Sequence, residues 1–172
     1  MKEFGIKARR RQKFRHTTDS NHKPPVAPNL LSREFNPSKP NKVWASDITY
    51  IWTKQGWLYL GVTMDLYSRK IVGWSLQDHM KKELVIEAIE MGLSRRKIAP
   101  GAMHHSDRGS QYASHDFQSV LRKNHLKCSM SRKGECYDNA VVESFFNNLK
   151  SELMLKEFET KDHAKAEIFE YI

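Results

Sequence analysis

The sequence is poor in cysteine and has no long apolar run. Cys128 and Cys136 are its only cysteines, and their spacing matches no zinc or redox motif. A disulfide scaffold and a structural zinc site are therefore disfavoured, and reduced thiols in a cytosol are expected. No stretch approaches the roughly 18 apolar residues of a membrane span, and the first residues lack the apolar stretch of a secretory signal. These absences predict a soluble, cytoplasmic protein.

Acidic residues are scarce near the N-terminus. Residues 1–42 carry 11 of the 29 Lys and Arg residues and only three acids, whereas residues 43–172 carry 18 basic and 17 acidic side chains. The basic side chains are densest in KARRRQKFR, which includes Arg9, Arg10 and Arg11. Such a cluster can neutralise several phosphates, so it predicts nucleic acid as a partner. The alternative is a solvated terminus without a partner.

The composition predicts one folded domain with an arm. An apolar content of 39% and an aromatic content of 10% suffice for a hydrophobic core. Five of the six prolines lie between positions 24 and 40, which favours an extended, irregular chain there. Residues 1–42 are therefore predicted to form a basic, Pro-rich arm or linker, and residues 43–172 to form the domain.

Hydrophobic patterns predict an α/β domain. Three runs rich in β-branched and aromatic residues, VWASDITYIW, WLYLGVTMDL and KIVGWSLQ, are typical of an antiparallel meander. The other predicted elements are a helix in KKELVIEAIEMGLSRRKIAP, a strand at 102–105, a helix at 114–124, a strand at 126–130, a long helix at 139–156 and a helix after Thr160. This order predicts a mixed sheet with helices on its faces.

Three acids fall on elements that are far apart in the chain. Asp47 lies in the middle of the first predicted strand, Asp107 just past the fourth, and Glu143 in the first half of the long helix. Each has an ordinary alternative, respectively a hydrogen-bonded strand acid, a turn cap and a solvated helix residue. If the three converge, a cation must relieve their repulsion, and oxygen ligands suit Mg²⁺ or Mn²⁺.

Four blocks of sequence give these acids a context. WASDITYI, WLYLGVTMDLYSRKIVGWSL, HHSDRGSQYAS and SMSRKGECYDNAVVESFFNNLKSE resemble the signature blocks of the bacterial insertion-sequence transposases that are assembled from two reading frames. The resemblance implies a retroviral-integrase-like catalytic core with an RNase H-like fold, a five-stranded mixed sheet flanked by helices. It places the family's catalytic Asp-Asp-Glu triad on Asp47, Asp107 and Glu143.

The resemblance also implies a chemistry, DNA strand cleavage and strand transfer during transposition. Two Mg²⁺ or Mn²⁺ ions would hold the attacking and leaving oxygens, with Asp47 bridging both ions and Asp107 and Glu143 binding one each. The triad alone would serve a simple nuclease equally well. The expected partners are transposon-end and target DNA together with further copies of the chain or a full-length transposase, and bound chains would be nucleoid-associated.

Further basic residues are predicted to touch DNA. Lys150 follows Glu143 by about two helical turns, although it also fits an exposed lysine paired with a nearby glutamate. Arg132 and Lys133 form a basic loop before the long helix, where a phosphate could be clamped. His105 is predicted to contact a phosphate or to shape the Asp107 site, and no ligand spacing supports a zinc site there.

The resembling family continues beyond this sequence at both ends. It carries a helix-turn-helix region before the linker and another helix after the pattern that ends at Ile172. We therefore expect a truncated core. The alternative function is an inactive fragment that binds DNA or full-length transposase without catalysis.

Overall fold

The computed structural model describes residues 26–153 and 157–172. Arg9, Arg10 and Arg11 lie outside the described residues. The strands are β1 (Val43–Thr53), β2 (Gly56–Asp65), β3 (Ile71–Gln77), β4 (Met103–Ser106) and β5 (Lys127–Met130). The helices are α1 (Lys82–Arg95), α2 (Ser110–Ala113), α3 (His115–Lys123), α4 (Ala140–Leu153) and α5 (Lys161–Tyr171), with a 3₁₀ turn at Cys136–Asn139 before α4.

The strands form one five-stranded mixed sheet in the order β3-β2-β1-β4-β5. β1 pairs antiparallel with β2, and β2 pairs antiparallel with β3, so the predicted meander is confirmed. β4 runs parallel to β1, and β5 runs parallel to β4. The turn between β1 and β2 is tight because Gly56 adopts a φ of 105°, which is unfavourable for residues with a Cβ.

The two faces of the sheet carry separate hydrophobic clusters because strand side chains alternate in direction. Ala45 and Ile51 of β1 belong to a cluster that includes Phe146 of α4 and Ile168 of α5. Trp44 belongs to the cluster on the other face, which includes residues of α1 and α3. Helices therefore cover both faces, as the sequence predicted.

Helix α1 lies unusually close to the backbone of β3. A Cβ placed on Gly73 would lie 2.0 Å from the carbonyl oxygen of Ala88 and 2.7 Å from the backbone nitrogen of Gly92. Two glycines facing each other thus permit the contact, since no larger side chain fits between strand and helix.

β1 extends well beyond β4, its parallel neighbour in the sheet. β4 pairs with β1 only over residues 43–45. Further along, the side-chain amide of Asn139 donates to the backbone oxygen of Ser46 at 3.0 Å, and Thr53 forms a parallel bridge with Phe158. The segment that contains α4 therefore lies along the part of β1 that β4 does not pair with, and it brings helix residues beside β1.

The last part of the predicted arm lies against the domain. Leu31 is buried, and the backbone N–H groups of Leu30 and Leu31 donate to the Ser129 hydroxyl at 2.9 and 3.2 Å. The backbone N–H of Met130 donates to the oxygen of Pro28 at 3.3 Å. These contacts attach residues 28–31 to β5, although the domain was predicted to begin at residue 43.

The helix boundaries differ slightly from those predicted. The predicted helix at 139–156 has a 3₁₀ turn through Asn139 before α4 begins, and α2 was not predicted. α5 begins where its cap was predicted, because the Thr160 hydroxyl accepts a hydrogen bond from the backbone N–H of His163 at 3.1 Å. Within the described ranges, no helix has the length and apolar character needed to cross a membrane.

Candidate active site

Three secondary-structure elements place the predicted acids. Asp47 lies on β1 just beyond the residues that pair with β4, Asp107 follows the last residue of β4, and Glu143 lies in the first turn of α4. The parallel pairing of β1 and β4 directs both strands toward the same edge of the sheet. Asp107 is oriented by its own turn, since its Oδ1 accepts from the backbone N–H of Gly109 at 2.9 Å.

The three carboxyl groups repel one another. Burial raises the pKa of Asp47 well above its ordinary value, and the charges of Asp107 and Glu143 raise it further. Burial also raises the pKa of Glu143, with Asp107 as the second cause. The three carboxyl groups are therefore close enough to influence one another's ionisation, so the fold places them in one region.

The acids are not assembled around a common point. Within residues 26–153 and 157–172, no group of three or more His, Cys, Asp or Glu side chains has the geometry to hold a metal ion. Even so, three neighbouring carboxyl groups suit a divalent cation, because a cation would relieve the repulsion that raises the pKa of Asp47 and Glu143.

Lys150 supplies positive charge beside Asp47. Its ammonium nitrogen lies 4.6 Å from the ring centroid of Tyr50 on β1, a cation–π arrangement. Burial lowers the pKa of Lys150, while the charge of Asp47 partly offsets that effect. Lys150 thus projects from α4 toward β1, on the same side of the helix as the candidate site.

The other predicted DNA contacts occupy different environments. Arg132 is half exposed, but its guanidinium binds Asp138 at 2.9 Å. Lys133 is exposed in the turn after β5. His105 is fully buried, with ring nitrogens 2.9 Å from the Ser129 hydroxyl and 3.3 Å from the Ser131 hydroxyl.

The environment of His105 contradicts the first of its two predicted roles, a contact with phosphate, whereas its role in shaping the Asp107 site stays a prediction. The side chain has no exposed surface, so no phosphate can reach it in this conformation. Burial lowers the pKa of His105 to about 4, which keeps the ring neutral near pH 7. The apolar and hydroxyl-lined interior beside β5 suits a neutral imidazole, and His105 is a core residue.

Comparison with known proteins identifies the fold's family. The profile of the family described as integrase core domain matches residues 37–136, more than half of the chain. The chain belongs to the integrase core domain family. The matched region contains Asp47 and Asp107, whereas Glu143 lies beyond it.

Relatives of this integrase core chain come from bacterial insertion elements. An uncharacterized 31 kDa protein of insertion element IS600 from Shigella sonnei is 47% identical over 172 residues, covering 99% of this chain and 63% of the relative. Transposase InsF for insertion sequence IS3A from Escherichia coli K12 is 44% identical over 173 residues, covering 100% of this chain and 60% of the relative. The chain thus spans less than two thirds of the length of these relatives.

Solved structures of viral integrases share the fold. The HTLV-2 integrase catalytic core domain in complex with magnesium superposes with a TM-score of 0.55 at 22% identity, covering 66% of this chain and 70% of that one. A chain of the simian T-cell lymphotropic virus intasome in complex with PP2A regulatory subunit B56 gamma gives a TM-score of 0.63 at 16% identity, covering 88% of this chain and 54% of that one. The predicted RNase H-like fold and transposase resemblance are therefore confirmed.

Two features of this integrase core domain were missed by sequence reasoning. The hydroxyl of Tyr112 is buried without a hydrogen-bond partner among the described residues, and Asp47 and Asp107 add to the effect of burial in raising its pKa. The second feature is the pair Asp138 and Asn139. Asp138 is buried and binds Arg33 and Arg132, while the Asn139 side-chain amide donates to the backbone oxygen of Ser46, next to Asp47. The only sequence signals were the Gln-Tyr pair following Asp107 and the Asp-Asn pair preceding the Glu143 helix.

Proposed function

We propose that the chain is the catalytic core of a transposase that cleaves and transfers DNA strands with the help of divalent metal ions. The observation that carries this proposal is the mutual electrostatic interaction of Asp47, Asp107 and Glu143 within an integrase core domain. The insertion-element origin of the relatives supports transposition as the process.

Asp47, Asp107 and Glu143 would hold two Mg²⁺ or Mn²⁺ ions. Bound divalent ions stabilise the charge that develops on phosphate oxygens and lower the pKa of attacking water. The burial and repulsion of the three carboxyl groups disfavour their joint ionisation, which favours binding of cations over an empty site. Lys150 adds a positive charge near Asp47, where it would attract the negatively charged DNA backbone.

DNA is the proposed partner, as transposon ends and as target. Arg9, Arg10 and Arg11 would supply attraction that does not depend on sequence, whereas Lys133 in the exposed turn after β5 would contact phosphates near the site. Arg132 would also contact phosphates near the site while it is bound to Asp138, since its side chain is 53% exposed. Further copies of the chain or a full-length transposase are the proposed protein partners, and the bacterial cytoplasm and nucleoid are the proposed location.

A cleavage assay tests this function. The purified chain is mixed with a labelled oligonucleotide carrying the element's ends, with Mg²⁺ or with a chelator. Asp107→Asn should lower the metal-dependent cleavage rate by about 100-fold or more, because metal-assisted stabilisation contributes several kcal/mol. Asp162→Asn is the matched control, since Asp162 is 92% exposed on α5. Equal rates for Asp107→Asn and the control would contradict the proposal.

A second candidate function is binding of DNA or full-length transposase without catalysis. It is favoured by one observation, that the described acids are not assembled into a ready metal-binding group. This function predicts a wild-type chain that shifts DNA in a gel without cleaving it in Mg²⁺ or Mn²⁺, and DNA affinity that Asp107→Asn leaves unchanged.

A further inference from the structure

The side chain of Asp138 lies at the centre of a polar cluster just before α4. It is fully buried and accepts five hydrogen bonds of 2.8 to 3.0 Å. The donors are the Asn29 side chain, the Nε of Arg33, and the backbone N–H, Nε and Nη2 of Arg132. Asp138 therefore joins three segments that are distant in sequence: the residues before β1, the loop after β5 and the 3₁₀ turn.

The next residue links this cluster to the strand that bears the first acid. Asn139 donates from its side-chain amide to the backbone oxygen of Ser46, the neighbour of Asp47. Glu143 lies four residues after Asn139, about one helical turn. The start of α4 is thus fixed at two adjacent residues, one attached to Arg33 and Arg132 and the other attached to β1.

We infer that Asp138 and Asn139 form a positioning clamp that sets Glu143 relative to Asp47, and that Arg33, which lies near the end of the predicted arm, connects this clamp to the arm. The consequence for metal binding rests on the proposed function, whereas the placement of α4 does not.

The charges of the cluster suit this role. The guanidinium of Arg132 holds the pKa of Asp138 far below its ordinary value, so Asp138 is ionised at neutral pH. The side chains of Arg33 and Arg132 are 41% and 53% exposed, so losing one of them leaves no isolated buried cation. Arg33→Ala therefore loosens the clamp while Arg132 still binds Asp138, and the domain is expected to remain folded.

Hydrogen exchange tests the clamp without requiring bound metal. The amides of residues 144–147 are the first in α4 with partners inside the helix. Arg33→Ala and Asp138→Asn should each increase exchange at these amides by about 10-fold while leaving α1 unchanged, because only the start of α4 is released. Lys54→Ala is the matched control, since it removes another exposed ion pair, Lys54 with Glu159 at 2.5 Å.

Metal titration of the same variants tests the link to Glu143. The half-saturating Mn²⁺ concentration should rise by about 10-fold in Arg33→Ala and Asp138→Asn, as is typical when a residue that orients a ligand is lost. Lys54→Ala should match the wild type.

The outcomes separate the clamp from the proposed function. Exchange at residues 144–147 that is unchanged in both variants, or that rises equally throughout the chain, would overturn the clamp. Local exchange that rises while Mn²⁺ affinity stays at the wild-type value would overturn its role in positioning Glu143. A wild-type chain that neither binds Mn²⁺ nor cleaves DNA would contradict the proposed function, while the exchange data would still decide whether the clamp places α4.

Discussion

Replacing Asp47 with asparagine should stabilise the metal-free protein, and the gain should grow with pH. The folded-state pKa of Asp47 is raised above its ordinary value of 3.8 by burial and by the neighbouring acids. Folding therefore favours the protonated form, so stability is fully present below the unfolded-state pKa and is lost as pH rises toward the folded-state pKa. Asparagine keeps the shape of the side chain and does not ionise.

The size of the effect follows from proton linkage. In the window that begins near pH 4, the wild type should lose about 1.4 kcal/mol relative to Asp47→Asn for each pH unit, until the folded-state pKa is reached. For a chain of this size 1 kcal/mol corresponds to roughly 2–4 °C in Tm. The melting temperature of Asp47→Asn should therefore rise above that of the wild type by about 3–6 °C per pH unit within this window.

The assay is thermal unfolding in a chelator between pH 4 and pH 8, followed by the same series with Mg²⁺. Asp162→Asn serves as the control and should show no such trend, because Asp162 is 92% exposed. Adding Mg²⁺ should reduce the advantage of Asp47→Asn, since a ligand at 100 times its Kd stabilises the wild type by about 2.7 kcal/mol. Asp47→Asn that is less stable than the wild type at neutral pH without metal, or a difference that does not vary with pH, would refute this reasoning.

Three further predictions concern packing, the buried tyrosine and the arm. Gly73→Ala should destabilise the domain by at least about 3 kcal/mol in urea unfolding, because its Cβ would meet the Ala88 carbonyl oxygen at 2.0 Å; a smaller loss would contradict the tight strand–helix contact. Tyr112→Phe should stabilise the metal-free protein by about 1 kcal/mol in the same assay, since the hydroxyl is buried without a partner, and destabilisation would show that the hydroxyl is hydrogen-bonded. Deleting residues 1–25, which carry a net charge of +6, should flatten the salt dependence of DNA binding by about 0.9 in log–log slope per lost phosphate contact, and an unchanged slope would assign binding to the core.

The sheet and its helices were predictable because their signals are local. Runs rich in β-branched and aromatic residues defined the three antiparallel strands, and the periodic spacing in α1 together with the Thr160 cap defined two helices. The 3₁₀ turn before α4 was not predictable, because it depends on hydrogen bonds from Asn29 and Arg33, which lie more than 100 residues away.

The acids of the candidate site were predictable from their flanking motifs, but their environment was not. Asp47, Asp107 and Glu143 were identified by resemblance, whereas their mutual repulsion depends on distances that only the fold defines. His105 shows the opposite case. Its position two residues before Asp107 suggested a DNA contact or a role in shaping the Asp107 site, but β4 is buried on both faces, and the hydroxyls of Ser129 and Ser131 hold the His105 ring in the interior.

The shortness of β4 has a consequence for where the third acid can lie. The unpaired N–H and C=O groups at a strand edge can pair with another strand. A β4 that was longer by a few residues would therefore continue to pair with β1 beyond Ala45. The backbone oxygen of Ser46 would then bind a strand amide rather than Asn139, and a strand would separate α4 from Asp47. Because β4 ends at Ser106, the edge of β1 beyond Ala45 has no strand beside it, and α4 lies there instead. The candidate active site therefore lies where the sheet is one strand narrower.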